Sequence, residues 1–399
     1  MKMKTPNRYQ LQLVADGSSS SLTPGEVARA FDPARLTQAR QVAGKTKREV
    51  AEALGVTPAA IGQYEAGTTR PRPDLIPRLA DILGVPTRFF LAGRPHAKLD
   101  ASMAHFRSLR STSAYKRAKA AAFVEQVWEL TYALEKRVQM PLVDLPGFAG
   151  GEVLPTVNVP LEPLAAARAL RSQWGLGTGP IAHLVRVMES HGVVVTMLPL
   201  SDPEDATVDA FSTSRLPRPL VGLTPDRAND VYRYRFTAAH ELGHLLLHGE
   251  AAPGDAQQER EADAFAAEFL TPRATILPAL PTRIDFTILA ELQRRWGVSI
   301  KSLLYRCREV GLLSSSAASR AYQRLNVLQQ QGAFPEEPIT AYSGECAVLL
   351  TKAFELAASH GLGLTQLADE LAWPVSRLRE LLNVPDSRPT LHLITQPAP

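Results

Sequence analysis

His240 and His244 stand four residues apart with Glu241 between them, and Glu259 and Asp263 follow at short range. Residues four apart on a helix project from one face, one turn apart, so both imidazoles can reach a single metal ion. A hydrolytic zinc ion typically keeps three protein ligands and one open position for water. Glu241, beside the first histidine, is placed to take a proton from a water at that position. After the break at Pro253, Gly254 and Asp255, a second helix is expected to begin near Ala256. On it, Glu259 and Asp263 share a face. Glu259 can serve as the third ligand, and Asp263 can hold the outer nitrogen of a ligand histidine and fix its tautomer. Glu261 competes for the third position, but it faces the opposite side of the helix from Glu259. His248 continues the histidine row a further turn along, roughly 6 Å away, and reads as a pocket or packing residue.

Elements must position these groups. Residues 235–239 lead into the motif and Leu245, Leu246 and Leu247 follow it, giving that helix an apolar side for a core. Phe265, Phe269 and Leu270 do the same for the second helix. Upstream, residues 164–174 and 180–191 read as helices, and 193–197, 208–213 and 219–223 as strands. A small sheet beside the motif helix can bind an extended polypeptide by edge pairing. No serine or cysteine nucleophile constellation competes with the metal site.

The run RYRFTAAHELGHLLLHGE, followed by EREADAFAAEFLTP, closely resembles the ImmA/IrrE family of zinc metallopeptidases. The resemblance implies a zincin-like α+β peptidase domain over residues 161–335. It implies Zn²⁺ held by His240, His244 and Glu259, with Glu241 as catalytic base. The family often has Asn where this chain has Asp263, and either side chain can accept a hydrogen bond from a ligand histidine.

Charge points to a second activity. Residues 33–95 carry ten Lys/Arg against five Asp/Glu, and residues 105–120 carry five Lys/Arg and no acid. Such local charge attracts DNA phosphates whatever the base sequence, although a solvated helix face looks the same. Within the first region, residues 47–64 read as a helix-turn-helix. Ala51 is small where two helices cross, and Gly55 supplies a left-handed turn residue. Thr57 is an N-cap and Pro58 fits the first helical position. Val50, Leu54, Val56, Ile61 and Tyr64 form the expected buried seam. With helices at residues 35–42 and 75–83, this makes a domain of four or five helices. It resembles the XRE, phage-repressor-like family, including the aromatic-Glu-x-Gly run in Tyr64, Glu65, Ala66 and Gly67. In that fold the second helix of the motif enters the major groove. Thr57, Ala59 and Gln63 are then the candidates for base contact, and Lys47 and Arg48 those for phosphate.

The chain is thus read as mainly α. Residues 1–30 are expected to be a flexible arm and 31–95 the helix-turn-helix domain. Residues 96–160 read as a basic helical linker with an amphipathic helix at 114–138 and a Pro/Gly-punctuated boundary at 141–160. The peptidase domain at 161–335 and a helical C-terminal domain at 336–399 follow. Two later segments, 289–309 and 364–382, echo a helix-turn-helix; they read as extra DNA contact or ligand sensing, or, as is commoner in all-α domains, as paired helices that pack or dimerise. Cys307 and Cys346 are too few for a disulfide framework and fit a reducing cytoplasm. No run is long enough to span a membrane, and no signal-peptide core follows Met1. The expected function is a cytoplasmic, homodimeric DNA-binding regulator with a zinc metallopeptidase domain. The resemblance implies a protein substrate such as a helix-turn-helix repressor, cleaved in a stress, DNA-damage or phage response. The alternative is a transcription factor whose zinc domain senses a metabolite or protein and cleaves nothing.

Overall fold

The computed structural model describes residues 22–91, 105–106 (backbone only), 114–148, 162–197, 210–214, 216–224, 229–248 and 255–385. Residues 1–21 of the expected arm, most of the second basic region before residue 114, and 149–160 of the expected boundary lie outside these. The chain divides into two units, Met1–Lys98 with Ala368–Pro374, and Leu99–Leu367 with Val375–Pro399.

Among the described residues of its N-terminal part, the first unit holds five helices, α1 (Pro24–Arg29), α2 (Pro33–Val42), α3 (Lys47–Leu54), α4 (Pro58–Glu65) and α5 (Leu75–Leu83), with a 3₁₀ turn at Thr87–Phe90. Helix α1 corrects the expected arm. Thr23 and Glu26 form a reciprocal capping box, and Val27 and Ala28 are buried. That pairing satisfies two helix-end N–H groups and lets a six-residue helix pack against α5. Leu36, Val50, Ala51, Leu54, Ile61, Ile76, Leu79, Phe89 and Phe90 fill the core. Val56, expected in the seam, is only half-buried.

The second unit begins with a two-residue strand, β1 (His105–Phe106), and a long helix, α6 (Ala114–Glu135). Helix α6 corrects the linker reading. Apolar residues lie on every face from Ala120 to Leu134, and Glu125, Gln126 and Glu129 are buried with them. A helix apolar all round belongs in a core rather than on a solvated span. Next come α7 (Pro163–Gln173), α8 (Leu184–Ser190), β2 (Val194–Met197), β3 (Ala210–Thr213) and β4 (Leu220–Leu223). The sheet order is β1-β3-β4-β2; β3 is antiparallel to β1 and β4, and β2 runs parallel to β4. Strands β3 and β4 are buried along their whole length, and both pack against α9 (Val231–Leu247). Helix α10 (Ala256–Leu270) crosses α9 and α7.

Helices α11 (Arg273–Ile276), α12 (Phe286–Trp296), α13 (Ile300–Glu309) and α14 (Ser315–Gln330) follow. The α12–α13 pair, one of the two helix-turn-helix echoes, buries Leu289, Trp296, Ile300, Leu303 and Leu304 in the core around α9. Helices α15 (Leu349–Ser359), α16 (Leu364–Leu371) and α17 (Val375–Leu382) complete the described chain. The expected separate domain beyond residue 336 is corrected as well. Helix α15 packs on α6 and β2, and two buried carboxylates tie its approach into the unit. Glu345 accepts the N–H groups of Leu184 and Val185 at the start of α8, at 2.9 and 3.1 Å. Glu189, on α8, accepts those of Val348 and Leu349, at 2.9 and 2.8 Å. Glu345 also pairs with the buried Arg235 of α9. The guanidinium of Arg235 further donates to the carbonyls of Ile181 at 2.6 Å and Gly297 at 2.9 Å. Gly297 is required there, since a Cβ would lie 2.6 Å from Arg235 Nε and its φ is +63°.

Candidate metal centre and helix-turn-helix surface

Helix α9 starts on Asp230, whose side chain caps the N–H of Tyr232 at 3.0 Å. It carries His240, Glu241 and His244 into the interior, where all three are buried. Helix α10 starts on Asp255 and presents Glu259, Glu261 and Asp263. The two helices can approach because Gly243 faces α10. A Cβ on Gly243 would lie 3.0 Å from Phe265 Cδ1 and 3.3 Å from Ala262 Cα.

The approach brings His240, His244 and Glu259 together, with one ligand atom from each lying within 4.8 Å of the others. The two Nε2 atoms are 3.0 Å apart. Glu259 Oε2 is 3.4 Å from His240 Nε2, and Glu259 Oε1 is 3.6 Å from His244 Nε2. Bonds of about 2.0–2.2 Å at tetrahedral angles would hold ligand atoms about 3.3–3.6 Å apart; both histidine–glutamate distances match this, and the 3.0 Å Nε2 pair needs to open by only a few tenths of an ångström, so these residues fit a zinc ion. Hydrogen bonding agrees with the distances. His240 Nδ1 lies 2.8 Å from Asp263 Oδ1. An ionised carboxylate only accepts, so Nδ1 carries the proton and the Nε2 lone pair faces the cluster.

Glu261, the competing third ligand in the sequence reading, lies elsewhere. Its Oε2 is 3.0 Å from His248 Nε2, and its Oε1 accepts from Gln257 Nε2 at 2.8 Å. These two bonds, the one from Gln257 first, hold its carboxyl below the ordinary glutamate range. His248 Nδ1 in turn lies 2.9 Å from His244 Nδ1. The histidine row is therefore connected along its length.

Ser212 was not among the sequence candidates. It sits on β3, fully buried, and its Oγ donates to Glu241 Oε2 at 2.6 Å. The serine lies 29 residues from Glu241 in the chain, and only the packing of β3 on α9 joins them. Backbone pairing places β1 against β3 at this point, with His105 opposite Ser212.

In the first unit, Gly55 is left-handed, with φ at +75°, and turns α3 into α4. Thr57 caps α4 by accepting the N–H of Ala60 at 3.2 Å. Thr57, Ala59 and Gln63 are exposed along α4, and Lys47 and Arg48 are exposed at the start of α3. Both cations have carboxylate partners on the chain. Lys47 Nζ is 3.2 Å from Glu65 Oε2, and Arg48 Nε is 2.8 Å from Glu52 Oε1. Glu65 also receives Arg40 Nε at 2.5 Å. The glutamate of the Tyr-Glu-Ala-Gly run thus joins α2, α3 and α4.

Comparison with known proteins follows this division. Residues 34–88 match the model of a helix-turn-helix domain, and residues 188–308 match that of the IrrE N-terminal-like domain. The chain is also 38% identical over 66 residues to the SPbeta prophage-derived uncharacterized HTH-type transcriptional regulator YonR of Bacillus subtilis (strain 168). That match spans 16% of this chain and 60% of the relative. The polypeptide joins an XRE-like helix-turn-helix domain to an ImmA/IrrE domain.

Proposed function

We propose that this chain is a cytoplasmic, homodimeric DNA-binding regulator whose second unit is a zinc-dependent peptidase acting on a repressor-type protein. The signal is stress, DNA damage, or a phage or mobile element; the likeness to a prophage-derived regulator supports that setting. One observation carries the peptidase reading: His240, His244 and Glu259 converge beside Glu241, and Ser212 holds the Glu241 carboxylate at 2.6 Å.

Zinc, when bound by His240, His244 and Glu259, supplies a Lewis acid that polarises the scissile carbonyl and lowers the pKa of the attacking water. Asp263 orients the His240 ring through Nδ1. Glu241 removes the proton of the attacking water and delivers it to the leaving amine nitrogen. Ser212 fixes one oxygen of that carboxylate and so sets the direction of the transfer. An extended substrate would pair along an edge of the sheet, whose order β1-β3-β4-β2 leaves β1 and β2 as the outer of the described strands. A pure zinc-binding sensor has no need of Glu241, which is why peptidase chemistry is preferred.

The test is incubation of the zinc-loaded protein with co-encoded repressor-like proteins. A discrete cleavage product is expected with the wild type, and none with Glu241→Gln, which keeps the side chain's shape and removes its basicity. Intact cellular regulation by Glu241→Gln, with no product from either protein, would transfer the second unit to the sensor reading.

A further inference from the structure

The two ligand histidines are braced differently. His240 meets a carboxylate directly, through Asp263. His244 meets one only through another imidazole, since its Nδ1 is 2.9 Å from His248 Nδ1 and His248 Nε2 is 3.0 Å from Glu261 Oε2. The proton positions along this line follow from the acceptor at its end. The Glu261 carboxylate accepts and cannot donate, so His248 Nε2 carries a hydrogen. A neutral His248 then has its lone pair on Nδ1. His244 Nδ1 must donate to that lone pair, which leaves the lone pair of His244 on Nε2, facing His240 Nε2 at 3.0 Å.

We propose that His248 and Glu261 are positioning residues for the metal centre, acting through His244 to fix its tautomer and ring orientation. The inference rests on the zinc reading above. His248 closes the C-terminal end of α9 and is buried, so the line is shielded from water, whereas Glu261 is partly exposed and reaches His248 from α10. The relay therefore spans the same two helices as the ligands. Hydrogen-bond partners behind metal-binding histidines typically change metal affinity by about 10–100-fold.

The experiment uses the full chain and two readouts, zinc affinity by competition with a chromogenic chelator and the visible absorption of the cobalt(II)-loaded protein. His248→Leu removes the acceptor behind His244 and should weaken zinc about 10–100-fold and alter the cobalt spectrum. His248→Asn places a carbonyl oxygen near the Nδ1 position and should recover most of the affinity and the wild-type spectrum. Glu261→Ala, at a partly exposed site that folding tolerates, should weaken zinc by roughly three- to tenfold while the loaded protein still holds its zinc. Zinc bound equally tightly by wild type, His248→Leu and Glu261→Ala would overturn the relay alone. Equal losses in His248→Leu and His248→Asn would also overturn it, by reducing His248 to packing. Wild-type protein that takes up no zinc would overturn the relay together with the reading beneath it.

Discussion

Two imidazole lone pairs 3.0 Å apart beside a glutamate gain nothing from one another. A cation between them turns that mutual repulsion into coordination, and removing any one ligand should leave too few donors to hold it. His240→Ala, His244→Ala and Glu259→Ala are each expected to abolish stoichiometric zinc in purified protein, measured by atomic emission. Glu261→Ala, whose carboxylate belongs to His248, should retain about one zinc per chain when loaded. Zinc lost with Glu261→Ala and kept with Glu259→Ala would reverse the ligand assignment. The convergence of His240, His244 and Glu259 could be anticipated because helical spacing puts each pair on one face of its own helix; that the two faces meet is set by the packing of α9 on α10. Ser212 was not legible, because it reaches Glu241 by sheet-to-helix packing that leaves no local spacing to read.

At the scale of elements, the crossing of α9 over α10 sets the site, and Gly243 sets the crossing. Gly243→Ala adds helix propensity worth about 1 kcal/mol but crowds Phe265, so its net effect on stability should stay within about 1 kcal/mol. Gly243→Val overpacks the contact and should cost about 1–3 kcal/mol of stability, read from urea unfolding. It should also weaken zinc roughly tenfold by moving Glu259 and Asp263 off the histidines. Wild-type affinity in Gly243→Val would show that the helices are positioned by other contacts. A second element-level device is Glu189, which caps the approach to α15 and whose carboxyl burial pushes up to about 7. Its folded value lies above its ordinary one, so the fold prefers it protonated. Stability should therefore be fullest below about pH 4.5, fall as pH rises towards about 7, and level off above. Comparing unfolding midpoints at several pH values, Glu189→Gln should lack this part of the slope; identical slopes would show that folding leaves the Glu189 carboxyl at its ordinary value. Most helices and three of the four strands could be read from periodicity. The ties made by Glu189 and Glu345 could not, since they join residues 159 to 161 positions apart through backbone N–H groups. Helix α1 did leave a local signal, Thr23 three residues before Glu26, which the polar run preceding it obscured.

At the scale of the whole molecule, one chain carries a helix-turn-helix unit whose α4 exposes Thr57, Ala59 and Gln63 and a second unit in which His240, His244 and Glu259 converge. A single small helix-turn-helix contacts few bases, so a dimer on a two-fold symmetric operator is expected. Gln63 is exposed on α4 and can contact adenine in bidentate fashion. Gln63→Ala should therefore relax preference at one position in each half-site, at about 1–3 kcal/mol. Lys47 and Arg48 begin from ion pairs with Glu65 and Glu52, so any phosphate they hold must compete with those carboxylates. The Arg48 pair is the more exposed of the two and is worth little in water, so Arg48 can exchange its partner readily. Lys47 shares a nearly buried Glu65 with Arg40 and is held more firmly. Arg48→Ala should weaken binding to all sequences alike and flatten the salt dependence by about one unit per contact, with Lys47→Ala doing less. Selection from a random DNA pool, followed by salt titration of the winners, checks both effects. A pool that yields no enriched motif, with the same steep salt dependence for every sequence, would leave the first unit a nonspecific tether.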